Sequence, residues 1–229
     1  MQSNIIITGA SGNLGKDVVQ KLSDLGYHLY VTSGSHSTDI FNEFSDVHAQ
    51  IVDLTDKDAS LAFIKDTIKN TGSVQAGIFL VGGYAPGKIE ETDAADIEKM
   101  IRLNFFTAFH LVKPLMAQFK TQGGGQFIFI GARPALVAKQ GAGNFAYALS
   151  KSLLFKMAEM INAEGEAKNI TATVIVPSTI DTPTNRTAMP DADFSKWIPT
   201  TDIAEGIAFV LGETGKKMRQ TVIKLYNRA

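Results

Sequence analysis

The segment Thr8-Gly9-Ala10-Ser11-Gly12-Asn13-Leu14-Gly15 follows the β-branched run Asn4–Thr8 and precedes an amphipathic stretch, Lys16–Leu25. A strand that feeds a glycine-rich turn and then a helix leaves few folds open. The turn is tight, its backbone can be approached closely, and the helix behind it opens with unpaired N–H groups and a positive dipole end. Three glycines spaced in this way are weak evidence alone. The flanking strand and helix supply the context in which the pattern suits a dinucleotide pyrophosphate.

The rest of the chain repeats the alternation. His28–Thr32 and Ala49–Leu54 read as strands, Asp58–Asn70 as a helix and Gly77–Val81 as a buried strand ended by Gly82-Gly83. Asp96–Lys120 predicts one long helix with a kink at Pro114. Gln126–Ile130 is the next strand, Asn144–Glu164 another long helix, and Thr171–Val176 a strand stopped by Pro177. Thr201–Leu211 predicts a helix and Thr221–Leu225 a last strand. The alternation implies an α/β, doubly wound parallel sheet of Rossmann type, with helices on both faces. With no repeat, low-complexity stretch or linker, the 229 residues read as a single dinucleotide-binding and catalytic domain.

Composition narrows the function. The formal net charge of −1 gives no field that would draw nucleic acid or an anionic membrane. The absence of cysteine excludes thiolate nucleophiles, disulfides and cysteine-held zinc. No apolar run approaches the ~20 residues of a membrane span. Met1-Gln2-Ser3-Asn4 lacks the basic start of a signal peptide, so the cytoplasm is the expected location.

The candidate chemistry lies roughly 130 residues after the glycine turn, in Tyr147 and Lys151. At i and i+4 they share one helix face. A cation beside a phenol favours phenolate and lowers the phenol pKa toward the range useful for proton transfer. Lys151 also has donors enough to hold ribose hydroxyls. A core tyrosine and a surface lysine at chance spacing is the plainer reading, and the glycine turn weighs against it.

Further residues carry two readings each. Val31-Thr32-Ser33-Gly34-Ser35-His36 holds no acid where many NAD-binding domains place one, so hydroxyls such as Ser35 and the ring of His36 favour NADP over NAD. Asp53 either meets the adenine amino group or caps the following helix. Lys16 either reaches a phosphate or is simply solvated. Ser178–Pro199, with three prolines and Trp197, is either a substrate lid or an ordinary surface loop.

In this order the motifs resemble the short-chain dehydrogenase/reductase family over nearly the whole chain. The turn is similar to its T-G-x-x-G-x-x-G, Val81-Gly82-Gly83 to its N-A-G segment, and Tyr147-Ala148-Leu149-Ser150-Lys151 to its Y-x-x-x-K. The resemblance implies a catalytic set of Tyr147, Lys151 and Asn104, with Asn104 ordering its helix and a water chain toward Lys151. It implies cofactor contacts at Gly9, Ser11, Gly12, Asn13, Leu14 and Gly15, at Ser35, at Asp53 and Leu54, and at Gly82 and Gly83. Lys151, Pro177 and Thr182 complete that set, and no metal is implied. The family's catalytic serine position is Ala132 here. The segments from Val81 to Thr92 and from Asp181 to Trp197 resemble the dihydropteridine reductase branch, whose conjugated acceptor needs no serine-polarised ketone.

Three functional readings follow. The first is an NAD(P)H-dependent reductase of a conjugated small molecule such as a quinonoid dihydropterin. The others are a non-catalytic NAD(P) sensor and a carbonyl reductase that borrows a hydroxyl from Ser178 or Thr179. Apolar residues crowd both long helices, and the resemblance implies a homodimer or homotetramer through them, against the alternative of a broad buried face within one subunit.

Overall fold

A computed structural model describes residues 3–34, 37–219 and 221–228. Its strands are β1 (Asn4–Thr8), β2 (His28–Ser33), β3 (Val47–Ile51), β4 (Ala76–Phe79), β5 (Gly125–Ile130), β6 (Ile170–Pro177), β7 (Ile180–Asp181), β8 (Ile198–Pro199) and β9 (Thr221–Leu225). Its helices are α1 (Asn13–Asp24), α2 (Lys57–Thr71), α3 (Ala94–Ile101), α4 (Thr107–Gln122), α5 (Ala138–Gly141), α6 (Phe145–Gly165), α7 (Pro183–Ala188) and α8 (Thr200–Leu211).

Seven strands form one parallel sheet in the order β3-β2-β1-β4-β5-β6-β9, as the alternation predicts. Successive strand residues face opposite sides of a sheet, so a strand covered on both sides is apolar throughout. Ile5-Ile6-Ile7 obeys this: Ile6 joins the core under α2, α4 and α6, while Ile5 and Ile7 join the core under α1 and α8. Phe127 and Phe129 pack on the first side, Ile128 and Ile130 on the second. Chain order reverses between β1 and β4, and the loops beyond their carboxyl ends diverge into the crevice that binds ligands in such sheets. Among the described residues, no helix is long and apolar enough to cross a membrane.

Two expectations need correction. The stretch predicted as one helix from Asp96 to Lys120 is α3 and α4 joined by a π-helical turn, Arg102–Phe106. Pro114 lies inside α4, so the departure from regular helix falls well before it. Inside this turn Asn104 directs its side chain to the backbone of Gly83 rather than to solvent. Ser178–Pro199 is also more regular than predicted. β7 pairs with β8, and α7 lies between them with Thr182 at its N-cap.

Candidate active site

The glycine turn is shaped by exclusion. Gly9 has φ of 68°, a left-handed conformation that suits glycine. A Cβ on Gly15 would lie 2.3 Å from Gly9 O and 2.6 Å from Ala10 Cα, so only glycine lets α1 start this close to the strand. Gly12 differs. A Cβ there would meet only Gly9 O, at 3.3 Å, and its outer face is open. As N-cap of α1 it offers no side-chain bond, and the first turn holds no acid. Among the described residues, neither the first turn nor the N-cap compensates the dipole end of this helix, which suits an anionic group such as a pyrophosphate. Asn13 and Leu14 sit in this first turn, and Asn13 Nδ2 reaches Thr184 Oγ1 of α7 at 3.4 Å. Lys16 follows them and is exposed.

Beyond the turn opens a cleft of about 390 Å³ between the ends of β1, β2, β3 and β4. Ser33, Gly34, Asp53, Leu54 and Val81 line it. Ser33 Oγ donates to Ser11 Oγ at 2.9 Å, fixing the wall beside the turn. Among the described residues a side chain at Gly34 would meet nothing within 4 Å, and the sequence at the end of β2 holds no acid. Ser35 and His36 lie outside the described residues. The alternative of Asp53 as helix cap does not hold. Asp56 caps α2 by accepting from the Asp58 and Ala59 N–H groups, while Asp53 binds the Thr55 hydroxyl at 2.7 Å and its N–H at 2.9 Å. These bonds hold the Asp53 carboxyl below its ordinary range and leave it exposed at the cleft. The open helix end, the glycine cradle and a cleft of this size fit a dinucleotide.

The other half of the crevice is built from buried side chains. Lys151 is 6% exposed, and its Nζ donates to the carbonyl of Ile130, the last residue of β5, at 2.9 Å. Asn104 is buried in the π turn. Its Oδ1 accepts from Gly83 N–H at 2.8 Å, and its Nδ2 donates to Gly83 O at 3.1 Å and to Ser150 Oγ at 2.9 Å. A Cβ on Gly82 would sit 2.6 Å from Asn104 Oδ1 and 3.0 Å from Lys151 Nζ, and one on Gly83 would sit 2.5 Å from Leu103 Cδ2. Gly82 and Gly83 therefore bring the strand-end loop against Asn104 and Lys151. Pro177 ends β6 opposite Leu225, and Thr182 accepts from Asn185 N–H at 3.2 Å as it caps α7.

Tyr147 departs from expectation in its acidity. Burial pushes its phenol up to about 12, and the Tyr84 phenol adds to this. Lys151 does not hold it down: its ammonium is turned to the Ile130 carbonyl, and its own burial lowers its pKa from 10.5 to about 8. A phenol at about 12 keeps its proton throughout the physiological range, above the values at which general acid catalysis is most efficient.

Sequence reasoning missed two participants. Tyr84 is 64% exposed, meets the Tyr147 ring edge-on at 5.2 Å between centroids, and donates to Asn144 Oδ1 at 2.6 Å. Ser150 is fully buried and donates to the Tyr147 carbonyl at 2.8 Å while accepting from Asn104. Its place beside Lys151 on the helix was the only signal. Ser178, considered as a borrowed hydroxyl, donates instead to the Tyr226 carbonyl at 2.9 Å.

A family model described as short chain dehydrogenase matches residues 3–193. The chain belongs to the short-chain dehydrogenase family. It is thereby an NAD(P)H-dependent oxidoreductase. Among its relatives, dihydropteridine reductase of Dictyostelium discoideum is 31% identical over 90% of this chain and 86% of its own length. Acetoacetyl-CoA reductase of an Acinetobacter species is 24% identical over 80% of this chain and 76% of its own. The solved structure of ElxO with NADP bound shares the fold of this short-chain reductase, with a TM-score of 0.89 and 21% identity over 98% of this chain and 97% of that one.

Proposed function

We propose that the chain is an NADPH-dependent reductase of a conjugated, electron-poor acceptor such as a quinonoid dihydropterin. The observation that carries this reading is an alanine, Ala132, buried just beyond β5 where the family's catalytic serine would stand. With no hydroxyl at that position to polarise a ketone, the acceptor must already be activated by its own conjugation. The 31% identity to a dihydropteridine reductase supports the same substrate class.

In this reading Gly9, Ser11, Gly12, Asn13, Leu14 and Gly15 hold the pyrophosphate, and Asp53 and Leu54 border the adenine. Gly82, Gly83, Pro177 and Thr182 border the nicotinamide, and Lys151 holds its ribose. When bound, the reduced nicotinamide supplies a hydride. The phenol of Tyr147 gives a proton to the acceptor. The Lys151 ammonium is held by the Ile130 carbonyl, and Asn104 fixes the Gly82-Gly83 loop that packs against it. Room and hydroxyls without a carboxylate at the end of β2 favour NADPH over NADH.

We further read the whole chain as one cytoplasmic functional unit that assembles as a homodimer or homotetramer. Phe106 and Phe109 of the π turn and α4, and Leu149 and Met160 of α6, are exposed in the isolated chain and suit burial between subunits.

The test is a panel of quinonoid dihydropterins, quinones and simple ketones assayed with NADPH and NADH. Turnover of the first two classes and tighter binding of NADPH are expected. Ketone reduction alone would overturn the substrate class, and tighter NADH would overturn the cofactor preference.

A further inference from the structure

Arg133 follows Ala132 directly and opens a short 3-10 turn, Arg133–Ala135. Its guanidinium lies over the Tyr226 ring, 4.7 Å from the centroid. Tyr226 follows β9, and β6 lies between β5 and β9 in the sheet. The arginine therefore reaches across the carboxyl end of β6, where Ser178 ties the Tyr226 backbone down.

Its electrostatic state sets it apart. Nε is buried without a hydrogen-bond partner. Among the described residues, no carboxylate lies within ion-pair distance of it. Arg186 of α7, by contrast, is gripped by Asp181 through two bonds, at 2.6 and 2.7 Å. A guanidinium is always charged, and stacking on an aromatic face fixes its plane. Fixed in plane and without an ion-pair partner, the half-buried guanidinium keeps its charge available to an oxyanion. It does so at the carboxyl end of the sheet, where ligands bind in this architecture.

We propose that Arg133 is a specificity-determining residue that pairs with an oxyanion on the acceptor, so that this enzyme prefers acidic conjugated acceptors over neutral ones of the same ring. The inference rests on the reading of the chain as a reductase of conjugated acceptors. It adds that the acceptor carries a carboxylate, a sulfonate or an acidic ring oxygen.

A matched pair of probes tests it: a naphthoquinone sulfonate and the unsubstituted naphthoquinone. Each is assayed for NADPH-dependent turnover and, by calorimetry, for binding to the NADP-loaded protein. Wild type should favour the sulfonate, with that preference weakening as salt rises. Arg133→Met retains apolar reach over Tyr226 without charge. It should reduce the sulfonate-to-neutral ratio of kcat/KM by about 10- to 100-fold, the scale of a charged hydrogen bond. Arg133→Lys should fall between the two, and it serves where the methionine variant does not fold. An unchanged ratio, including an equal loss in both arms, overturns the proposal. A matching loss of NADPH affinity overturns it too, because the guanidinium would then serve the cofactor. Should neither quinone turn over while calorimetry still finds Arg133-dependent sulfonate binding, the anion site stands and the proposed reductase activity falls.

Discussion

The two halves of the crevice are made of different materials. The half beneath the ends of β1, β2 and β3 consists of backbone and space: a glycine turn, an uncapped helix end and an open cleft. The half at the ends of β4, β5 and β6 consists of side chains that hold one another. From the Tyr147 carbonyl a chain of bonds runs through Ser150 and Asn104 to Gly83, and the Tyr84 ring returns to Tyr147. A surface of backbone can receive a ligand whose shape is constant. A network anchored on buried Ser150 and Asn104 can keep the Tyr147 phenol in place while the acceptor varies.

If that division is right, mutations in the two halves should separate binding from turnover. Tyr147→Phe should lower kcat by about 10²–10⁴-fold, the scale of a lost general acid, while NADPH binding holds. Equal turnover by the variant would remove Tyr147 from the chemistry. Gly15→Ala should do the reverse. Its new Cβ meets backbone at 2.3 Å, and the turn must open to admit it. NADPH affinity should drop by about tenfold or more, together with roughly 1–3 kcal/mol of stability from overpacking. An unchanged dissociation constant would show that the turn does not carry the cofactor.

Ser150→Ala cuts the circuit without touching either reacting group. A loss of about tenfold in kcat with little change in NADPH binding is expected, on the scale of one buried hydrogen bond. A change confined to melting temperature would reduce Ser150 to a structural role.

The smallest effect is one of pH. Turnover that needs the Lys151 ammonium should hold below pH 8 and decline as pH rises through about 8. The same group acts on stability with the opposite sign. Its folded pKa of about 8 lies below the ordinary 10.5, so between these values the unfolded chain binds more protons and the contribution of Lys151 to stability rises with pH. A rate profile flat to pH 10, or a melting temperature unresponsive to Lys151→Met across that window, would break the link.

The halves also differ in how far they could be read from sequence. The glycine turn is a local pattern, and local patterns survive in a linear text. Every strand of the main sheet was recognisable, although the third runs Val47–Ile51 and not Ala49–Leu54, because the flanking turn residues and short lengths separate such apolar runs from buried helix. Tyr147 and Lys151 were legible through their helical spacing, but their acidity was not. Whether a cation lowers a neighbouring phenol depends on where its ammonium points, and Lys151 points to Ile130, far away in sequence. Asn104 was legible only through resemblance. Ser150, Tyr84 and Arg133 gain their meaning from contacts across 46, 60 and 93 positions, which no short window displays. Asp53 shows the converse. Its neighbours were known, yet the choice between Asp53 and Asp56 as helix cap required backbone geometry.

The π-helical turn at Arg102–Phe106 has a geometric effect beyond seating Asn104. A π turn holds one residue more than an α turn, and each residue of an α-helix advances about 100° around the axis. The surplus residue rotates everything downstream by that angle. This phase shift lets a nearly continuous helical rod face α6 through α3 and then α2 through α4. Excising one residue there would leave both segments helical while swinging Leu111, Leu115 and Phe119 off the sheet, so the register of half the core hangs on a single inserted position.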